Sequence, residues 1–161
     1  MQRIIEIVPG VSTADDAISL DHDRRTRRRM VHTTDGGSEI LLDMPRTVHL
    51  RDGDGLILEN GNVVRVEAAP EAVIDIRGAD VAALVRIAWH LGNRHLPTQL
   101  LPGADGGSLR IRTDHVIVAM VEGLGGHCRA IDAPFDPEAG AYAAGEGGRA
   151  AHHHHDHDHA G

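Results

Sequence analysis

The stretch AVIDIRGADVAALVRIAWHLGN, residues 72–93, decides the fold of the second half of this chain. It opens with Ala72–Ile76, a short apolar run of the kind that forms a strand. Over Ala79–Leu91 the apolar residues then recur at the spacing of one helix face, and Gly92-Asn93 follows as a stop signal. The stretch therefore predicts a strand and then a helix whose shared face carries Val81, Leu84, Val85, Ala88 and Leu91.

A second set of elements follows the first. Two short strands, Pro97–Leu101 and Leu109–Arg112, are predicted on either side of a glycine-rich turn. Asp114 is placed to cap a second helix, and Cys128–Ala133 has the composition of a final strand. This order of elements is that of the ferredoxin-like βαββαβ fold.

Residues 1–69 have a different pattern, in which short β-type runs alternate with turns such as Asn60-Gly61. Ala69-Pro70 marks a boundary between the two patterns. We therefore predict an α+β protein with a small β-rich domain, residues 1–69, followed by a ferredoxin-like domain, residues 70–135. The strands expected in the first domain are Arg3–Val8, Glu39–Asp43, Thr47–Leu50, Leu56–Glu59 and Val63–Ala68.

The end of the chain is rich in glycine, alanine and glutamate and then in histidine. From Phe135 onward it carries little apolar surface, so we predict a flexible, disordered tail over residues 136–161. Neutral imidazole is the commonest metal ligand in proteins and suits nickel, copper and zinc. Aspartates interrupt the histidine run, unlike an ordinary purification tag, which favours a native metal-binding tail whose ligands are His152, His153, His154, His155, His157 and His159.

Composition excludes several classes of protein. All sixteen basic residues are arginine, so no lysine can form a Schiff base or serve a P-loop. The single cysteine, Cys128, excludes an intrachain disulfide and a cysteine-cluster zinc site. A net charge of −8 argues against nucleic-acid binding. The sequence shows no signal peptide and no long apolar stretch, which predicts a cytoplasmic protein without membrane contact. No nucleophile–base motif stands out, so we expect no catalytic activity.

One basic run needs its own interpretation. Arg24–Arg29 contains five arginines, is flanked by Asp21 and Asp23, and has no aromatic residue interleaved. We interpret it as a solvated strand or as a docking face for an acidic protein partner.

The second half of the chain offers further candidate ligands in His90, His95, His115 and His127-Cys128. Taken one at a time, each is more often a packed or surface residue than a ligand. His90 at a helix C-terminus also stabilises the helix dipole when charged, and a lone cysteine is most often a small buried apolar residue.

The local sequence changes that balance. The segment HLGNRHLPTQ, residues 90–99, resembles the signature of the UreE family of urease accessory proteins, which are nickel metallochaperones. The similarity continues through Asp114-His115-Val116, through Ala133–Tyr142 and into the histidine-rich tail.

The resemblance implies a β domain that engages a partner and a ferredoxin-like domain that carries metal. It implies a homodimer in which His95 meets its symmetry mate and binds nickel, with tail histidines completing the coordination. It also implies secondary metal ligands at His90 and His115. Thr113 stands where some members have a further histidine, which argues against a peripheral copper site.

These observations together predict a nickel-binding metallochaperone that delivers Ni²⁺ to apo-urease. The expected partners are the complex of apo-urease with its accessory proteins, including the accessory GTPase. Two alternatives stay open: general storage or buffering of Ni²⁺, Zn²⁺ or Cu²⁺ by the tail, and a metal-dependent hydrolase that uses His90, His95 and His115. The hydrolase is disfavoured because these spacings match no metalloprotease motif.

Overall fold

The structure is a computed structural model that describes residues 1–140. Within that range the first half of the chain forms a six-stranded sheet with the strand order β2-β6-β5-β1-β4-β3. The β1–β4 and β2–β6 pairs are parallel and the remaining pairs are antiparallel. The elements are β1 (Gln2–Val8), β2 (Asp16–Leu20), α1 (His22–Arg25), β3 (Thr26–Thr33), β4 (Glu39–His49), β5 (Gly55–Leu58) and β6 (Val63–Ala68).

One face of this sheet forms the first core. Successive strand residues point to opposite faces, so β4 buries Ile40 and Leu42 while Leu41 faces outward. Valine, isoleucine and leucine supply this core, as the low aromatic content requires. Its buried residues are Ile4, Ile18, Leu20, Ile40, Leu42, Leu50, Leu56, Leu58, Val64 and Val66.

The second half confirms the predicted ferredoxin-like order. Among the described residues its strands form a four-stranded antiparallel sheet in the order β10-β7-β9-β8. Two helices connect these strands, so the α+β fold class is confirmed. The elements are β7 (Pro70–Gly78), α2 (Val81–Asn93), β8 (Gln99–Leu101), β9 (Ser108–Arg112), α3 (His115–Gly123) and β10 (Gly126–Pro134).

The second core lies between this sheet and its two helices, where Ile87 and Leu91 of α2 are fully buried. The predicted helix face is wrong for Val81 and Val85, which are exposed, because the face that packs on the sheet is centred on Ile87. Gly126 at the start of β10 is required by this packing. A Cβ placed there would lie 2.5 Å from Cγ1 of Val121 and 2.8 Å from Cδ1 of Ile87, so any larger residue would displace these core side chains.

The N-terminal sheet differs from the prediction in two places. Strand β2 is absent from the prediction because it is short. Strand β3 overlaps the arginine run that we interpret as a solvated strand or a docking face, but it extends beyond that run to Thr33. The two strands predicted at Glu39–Asp43 and Thr47–Leu50 form one long strand, Glu39–His49, although Pro45 interrupts the apolar pattern, and Leu50 lies just after its end. In the structure Pro45 lies within a register shift against β3, where its missing N–H removes no ladder hydrogen bond.

The junction between the two halves corrects the interpretation of the arginine run. Arg25 is only 1% exposed, and its guanidinium donates hydrogen bonds to the carbonyl oxygens of Leu20, Leu50 and Phe135. The expectation of a solvated run is therefore wrong for Arg25. Because these acceptors lie in both halves of the chain, the buried guanidinium joins the two sheets.

The expectation that the chain stops packing at Phe135 is also wrong for the first residues of that segment. Phe135 is fully buried, and the Arg112 guanidinium lies 5.9 Å from its ring centroid. Asp136 forms an ion pair of 2.6 Å with Arg51, and the Glu138 N–H donates to the Thr98 carbonyl. The rest of the predicted tail, with all six of its histidines, lies outside the described residues.

Across residues 1–140, no helix is both long and apolar enough to cross a lipid bilayer.

Candidate metal site

His95 occupies an unusual backbone position at the end of α2. The helix ends at Asn93, Arg94 caps it, and His95 follows with a φ of 54°. The His95 N–H donates to the Gly92 carbonyl at 3.0 Å, and the Leu96 N–H donates to the Leu91 carbonyl at 3.2 Å. These two bonds define a Schellman motif, in which the residue at the position of His95 adopts the left-handed conformation.

Glycine is the usual residue at that position, because a Cβ makes the left-handed conformation costly. No other non-glycine residue described here has a positive φ. Leu96 packs against the second core and holds the turn, while His95 itself is exposed. A strained and exposed histidine on a fixed turn indicates that its side chain is retained for a function.

Chain topology brings the predicted ligands to one end of the ferredoxin-like sheet. Helix α2 returns along β7, so His90 and His95 lie at the Pro70 end of that strand. Strand β9 is antiparallel to β7 and ends at the same end, so α3 also begins there, with the exposed His115 as its first residue. The structure therefore places all three histidines at the junction end of the sheet.

Each of the two additional histidines has a local structural setting. The His90 ring is half-buried and stands edge-on to the Trp89 ring, with 5.0 Å between the centroids. His115 follows Asp114, whose carboxylate accepts the N–H groups of Val116 and Ile117 as a helix cap.

The structure does not gather these residues into a complete metal site. Over residues 1–140, no three histidine, cysteine, aspartate or glutamate side chains are grouped closely enough to hold a metal ion. The histidines from His152 to His159 fall outside the described part of the chain. The described part of one chain therefore supplies an incomplete set of ligands.

His127 and Cys128 lie far from the three histidines. They follow Gly126, which pairs with Gly78 at the opposite end of β7. Cys128 is half-buried against the second core, and this burial raises the pKa of its thiol. A protonated thiol is a poor metal ligand, so its packing role fits the structure better.

Sequence reasoning missed two histidines that line the same groove as His95. A groove of about 560 Å³ runs between the two halves of the chain, and His95, His22 and His49 all line it. Leu50, Leu96 and Leu100 give much of the lining an apolar character, and Asp136–Gly140 form one side. Because His22 and His49 are distant from His95 in sequence, no local motif could have identified them.

His22 is half-buried in this groove. Burial lowers the pKa of its imidazole, and the nearby charges of Arg112 and Arg25 lower it further. Its ring stands edge-on to Phe135 with 5.4 Å between the centroids, and its buried Nδ1 has no hydrogen-bond partner among the described residues. The lowered pKa favours the neutral form of the His22 imidazole, which lines the same groove as His95.

Comparison with protein families covers nearly the whole chain. The model of the N-terminal domain of the UreE urease accessory protein matches residues 4–69, and the model of its C-terminal domain matches residues 71–161.

Individual relatives agree with the family models, and all three described here carry the name urease accessory protein UreE. The one from Rhodopseudomonas palustris (strain HaA2) is 54% identical over 137 residues, which are 85% of this chain and 62% of the relative. The one from Bradyrhizobium sp. (strain ORS 278) is 55% identical over 130 residues, or 81% of this chain and 60% of the relative. The one from Chelativorans sp. (strain BNC1) is 44% identical over 160 residues, or 99% of each chain.

The chain therefore spans about three-fifths of the first two relatives and nearly all of the third. Two domain models in the expected order and relatives at this level of identity lead to one conclusion. The chain belongs to the UreE family of urease accessory proteins.

Proposed function

We propose that this protein is a nickel metallochaperone that delivers Ni²⁺ to apo-urease during assembly of its metallocentre. The names of the relatives support the connection with urease, and the family resemblance of HLGNRHLPTQ supports nickel as the cargo. In this role the protein transfers an ion and catalyses no reaction. It acts in the cytoplasm, where it meets apo-urease, the other accessory proteins and their GTPase through residues 1–69.

The observation that carries the proposal is the conformation of His95. Its imidazole is exposed at the end of α2, on a turn whose backbone favours glycine. A fixed, exposed imidazole can bind a metal ion without folding completely around it, so the ion stays accessible for transfer.

A homodimer supplies the missing ligands. Helix α2 buries Ile87 and Leu91, yet its opposite face exposes Val81, Val85 and Trp89, which are 62%, 62% and 64% exposed. These three residues are four apart and form one stripe along the helix. A helix that is apolar on both faces is usually covered on both, so the stripe supports a subunit contact beside His95. Two symmetry-related His95 side chains then share one ion.

The tail histidines complete the coordination of that ion and set the capacity of each dimer. Two imidazoles do not fill a nickel coordination sphere, and ligands tethered to the same chain have a high effective concentration. His90 and His115, at the same end of the sheet as His95, are additional ligands, and they also accept Zn²⁺ or Cu²⁺.

Nickel titration of the full chain tests the proposal, with the six tail histidines replaced by alanine as the starting variant. We expect the starting variant to bind about one ion tightly per two chains, and His95→Ala to lose that ion. The matched control His127→Ala should keep it, because His127 is an exposed histidine at the other end of the sheet. If His95→Ala and His127→Ala bind nickel equally, the ion is held elsewhere and the site shared through His95 is absent. If the starting variant without tail histidines binds no nickel, general metal storage by the tail becomes the better assignment.

The dimer has its own test. Trp89→Glu places a charge in the exposed stripe, and sedimentation should shift from dimer to monomer. Val116→Glu is the control, because Val116 is 58% exposed but lies on α3, outside the stripe. An unchanged dimer in Trp89→Glu would place the subunit contact elsewhere.

A further inference from the structure

Four exposed arginines surround one edge of the N-terminal sheet, and nickel binding does not require them. Arg24 lies in α1, and Arg27, Arg28 and Arg29 lie in β3. On β4, Asp43 lies opposite Arg29 and Glu39 lies opposite Thr33, so the four arginines leave a positive balance at this edge although the whole chain carries a net charge of −8. The neighbouring Asp23 is paired with Arg112, whose hydrogen bond and charge lower the pKa of that carboxyl most, and Arg27 lowers it further.

Strand β3 is the last strand of its sheet. Within the described residues it pairs with β4 alone, so the backbone groups along its other side face solvent. Pairing is regular over Arg29–Thr33, whereas Arg28 lies in a register shift and has no partner residue on β4. Arg29–Thr33 therefore offers a regular edge that can accept another strand.

Two apolar side chains adjoin this edge on the solvent face of the sheet. Val31 lies opposite Leu41 of β4, and Arg3 of β1 lies on the other side of Leu41. Leu41 points away from the core that Ile40 enters, and Val31 is 49% exposed. The surface thus combines an unpaired backbone edge, positive charge and a small apolar patch.

We propose that the β3 edge, defined as Arg29–Thr33 with the flanking Arg24, Arg27 and Arg28, docks an extended acidic segment of a protein partner. The segment adds to the sheet as a strand, so main-chain hydrogen bonds hold it while its carboxylates pair with the guanidinium groups. Single-stranded nucleic acid fits less well, because binding it also uses stacked aromatic side chains and β3 contains none. The inference rests on the proposed function only in assigning a partner to residues 1–69.

A competing explanation is that the arginines only protect an edge strand from aggregation, since charged residues and bulges commonly do so. The two explanations differ in what the edge binds. Protection alone predicts no complex with an acidic strand, whereas docking predicts binding that needs both the charges and the backbone of the peptide.

The test uses the full chain in EDTA and a synthetic peptide of ten residues in which glutamate and valine alternate. Two further versions of the peptide are N-methylated at alternate residues and keep all their charges. One version lacks the N–H donors of one peptide edge, and the other lacks those of the opposite edge. We measure the dissociation constant by fluorescence anisotropy and the amide hydrogen exchange of Arg29–Thr33. The unmodified peptide should bind, slow exchange in β3, and bind more tightly than at least one methylated version.

Charge-reversal variants complete the test. Arg28→Glu should weaken peptide binding about tenfold, because it replaces an attraction with a repulsion. Arg86→Glu makes the same change in net charge on the exposed part of α2 and should alter binding less than twofold. Arg28→Glu should also keep its nickel stoichiometry, which separates failure of this inference from failure of the proposed function.

Three results would overturn the inference. Absence of binding would leave the arginines as edge protection, and equal binding of all peptide versions would reduce the surface to simple charge attraction. Concentration-dependent protection of β3 without any peptide would assign the edge to a second copy of this chain.

Discussion

Replacing His95 with glycine should stabilise the folded protein while removing its proposed nickel ligand. The φ of 54° at His95 is in the left-handed region, which costs an L-residue about 1–2 kcal/mol. Glycine avoids that cost but loses about 0.5–1 kcal/mol more backbone entropy on folding than alanine does. The difference leaves a net gain of about 0.5–1 kcal/mol in the free energy of unfolding.

The comparison that isolates this effect is His95→Gly against His95→Ala. Both remove the imidazole, but only glycine removes the Cβ that makes the backbone conformation costly. Urea unfolding of the metal-free full chain measures the difference. With a denaturant slope of about 2 kcal/mol/M, the midpoint of His95→Gly should lie about 0.25–0.5 M above that of His95→Ala.

Nickel titration of the same two variants completes the experiment, and both should lose the ion shared between two chains. A more stable protein that no longer binds nickel would show that the strain at His95 is maintained for its side chain. If His95→Gly is no more stable than His95→Ala, the backbone conformation carries no cost, and the structural argument for His95 as the ligand fails.

Three further predictions concern the scaffold. Arg25→Met should lower the free energy of unfolding by at least about 3 kcal/mol, because it leaves buried carbonyls without donors. The control Arg24→Met changes an exposed neighbour, and its free energy of unfolding in urea should differ from the wild type by no more than about 0.5 kcal/mol. Gly126→Ala should lower the free energy of unfolding by about 1–3 kcal/mol, because its Cβ would overlap side chains of both helices. Gly123→Ala, with open space around its Cβ, should leave it unchanged. Equal melting temperatures of the two variants in thermal unfolding would contradict this prediction. Burial lowers the pKa of His32, and the charge of Arg24 lowers it further. Below about pH 6.5 the unfolded chain therefore binds more protons than the folded chain, and the free energy of unfolding falls as the pH drops. His32→Leu should therefore flatten the decline of the melting temperature between pH 7 and 5, and an unchanged slope would contradict this origin.

Prediction from the sequence succeeded where the signal was local. The helical spacing over Ala79–Leu91 and the stop at Gly92-Asn93 gave α2 its type and nearly its ends. It failed for the short strand β2, and it covered only the arginine part of β3, because three consecutive arginines give no apolar alternation that marks where the strand ends. It also divided β4 at Pro45, because a register shift that tolerates proline depends on the neighbouring strand.

The candidate site shows the same division. The motif HLGNRHLPTQ singled out His95 directly, because the residues that carry the family resemblance are contiguous. The left-handed backbone of His95 could not be predicted from a histidine, since that conformation is typical of glycine. His22 and His49 were missed because only the packing of the two sheets brings them to the groove beside His95.

The sequence by itself determined the order of the ferredoxin-like elements, the exclusion of lysine chemistry and disulfides, and the family resemblance carried by His90–Gln99. Each of these depends on composition or on residues that are neighbours along the chain. The tertiary structure decided that Arg25 is a buried junction residue rather than a solvated one, since the Phe135 carbonyl it binds lies 110 positions away. It also decided that α2 has an exposed apolar stripe and that β3 forms a free edge. Burial and edge position are properties of how elements pack together, and the periodicity of a single element does not encode them.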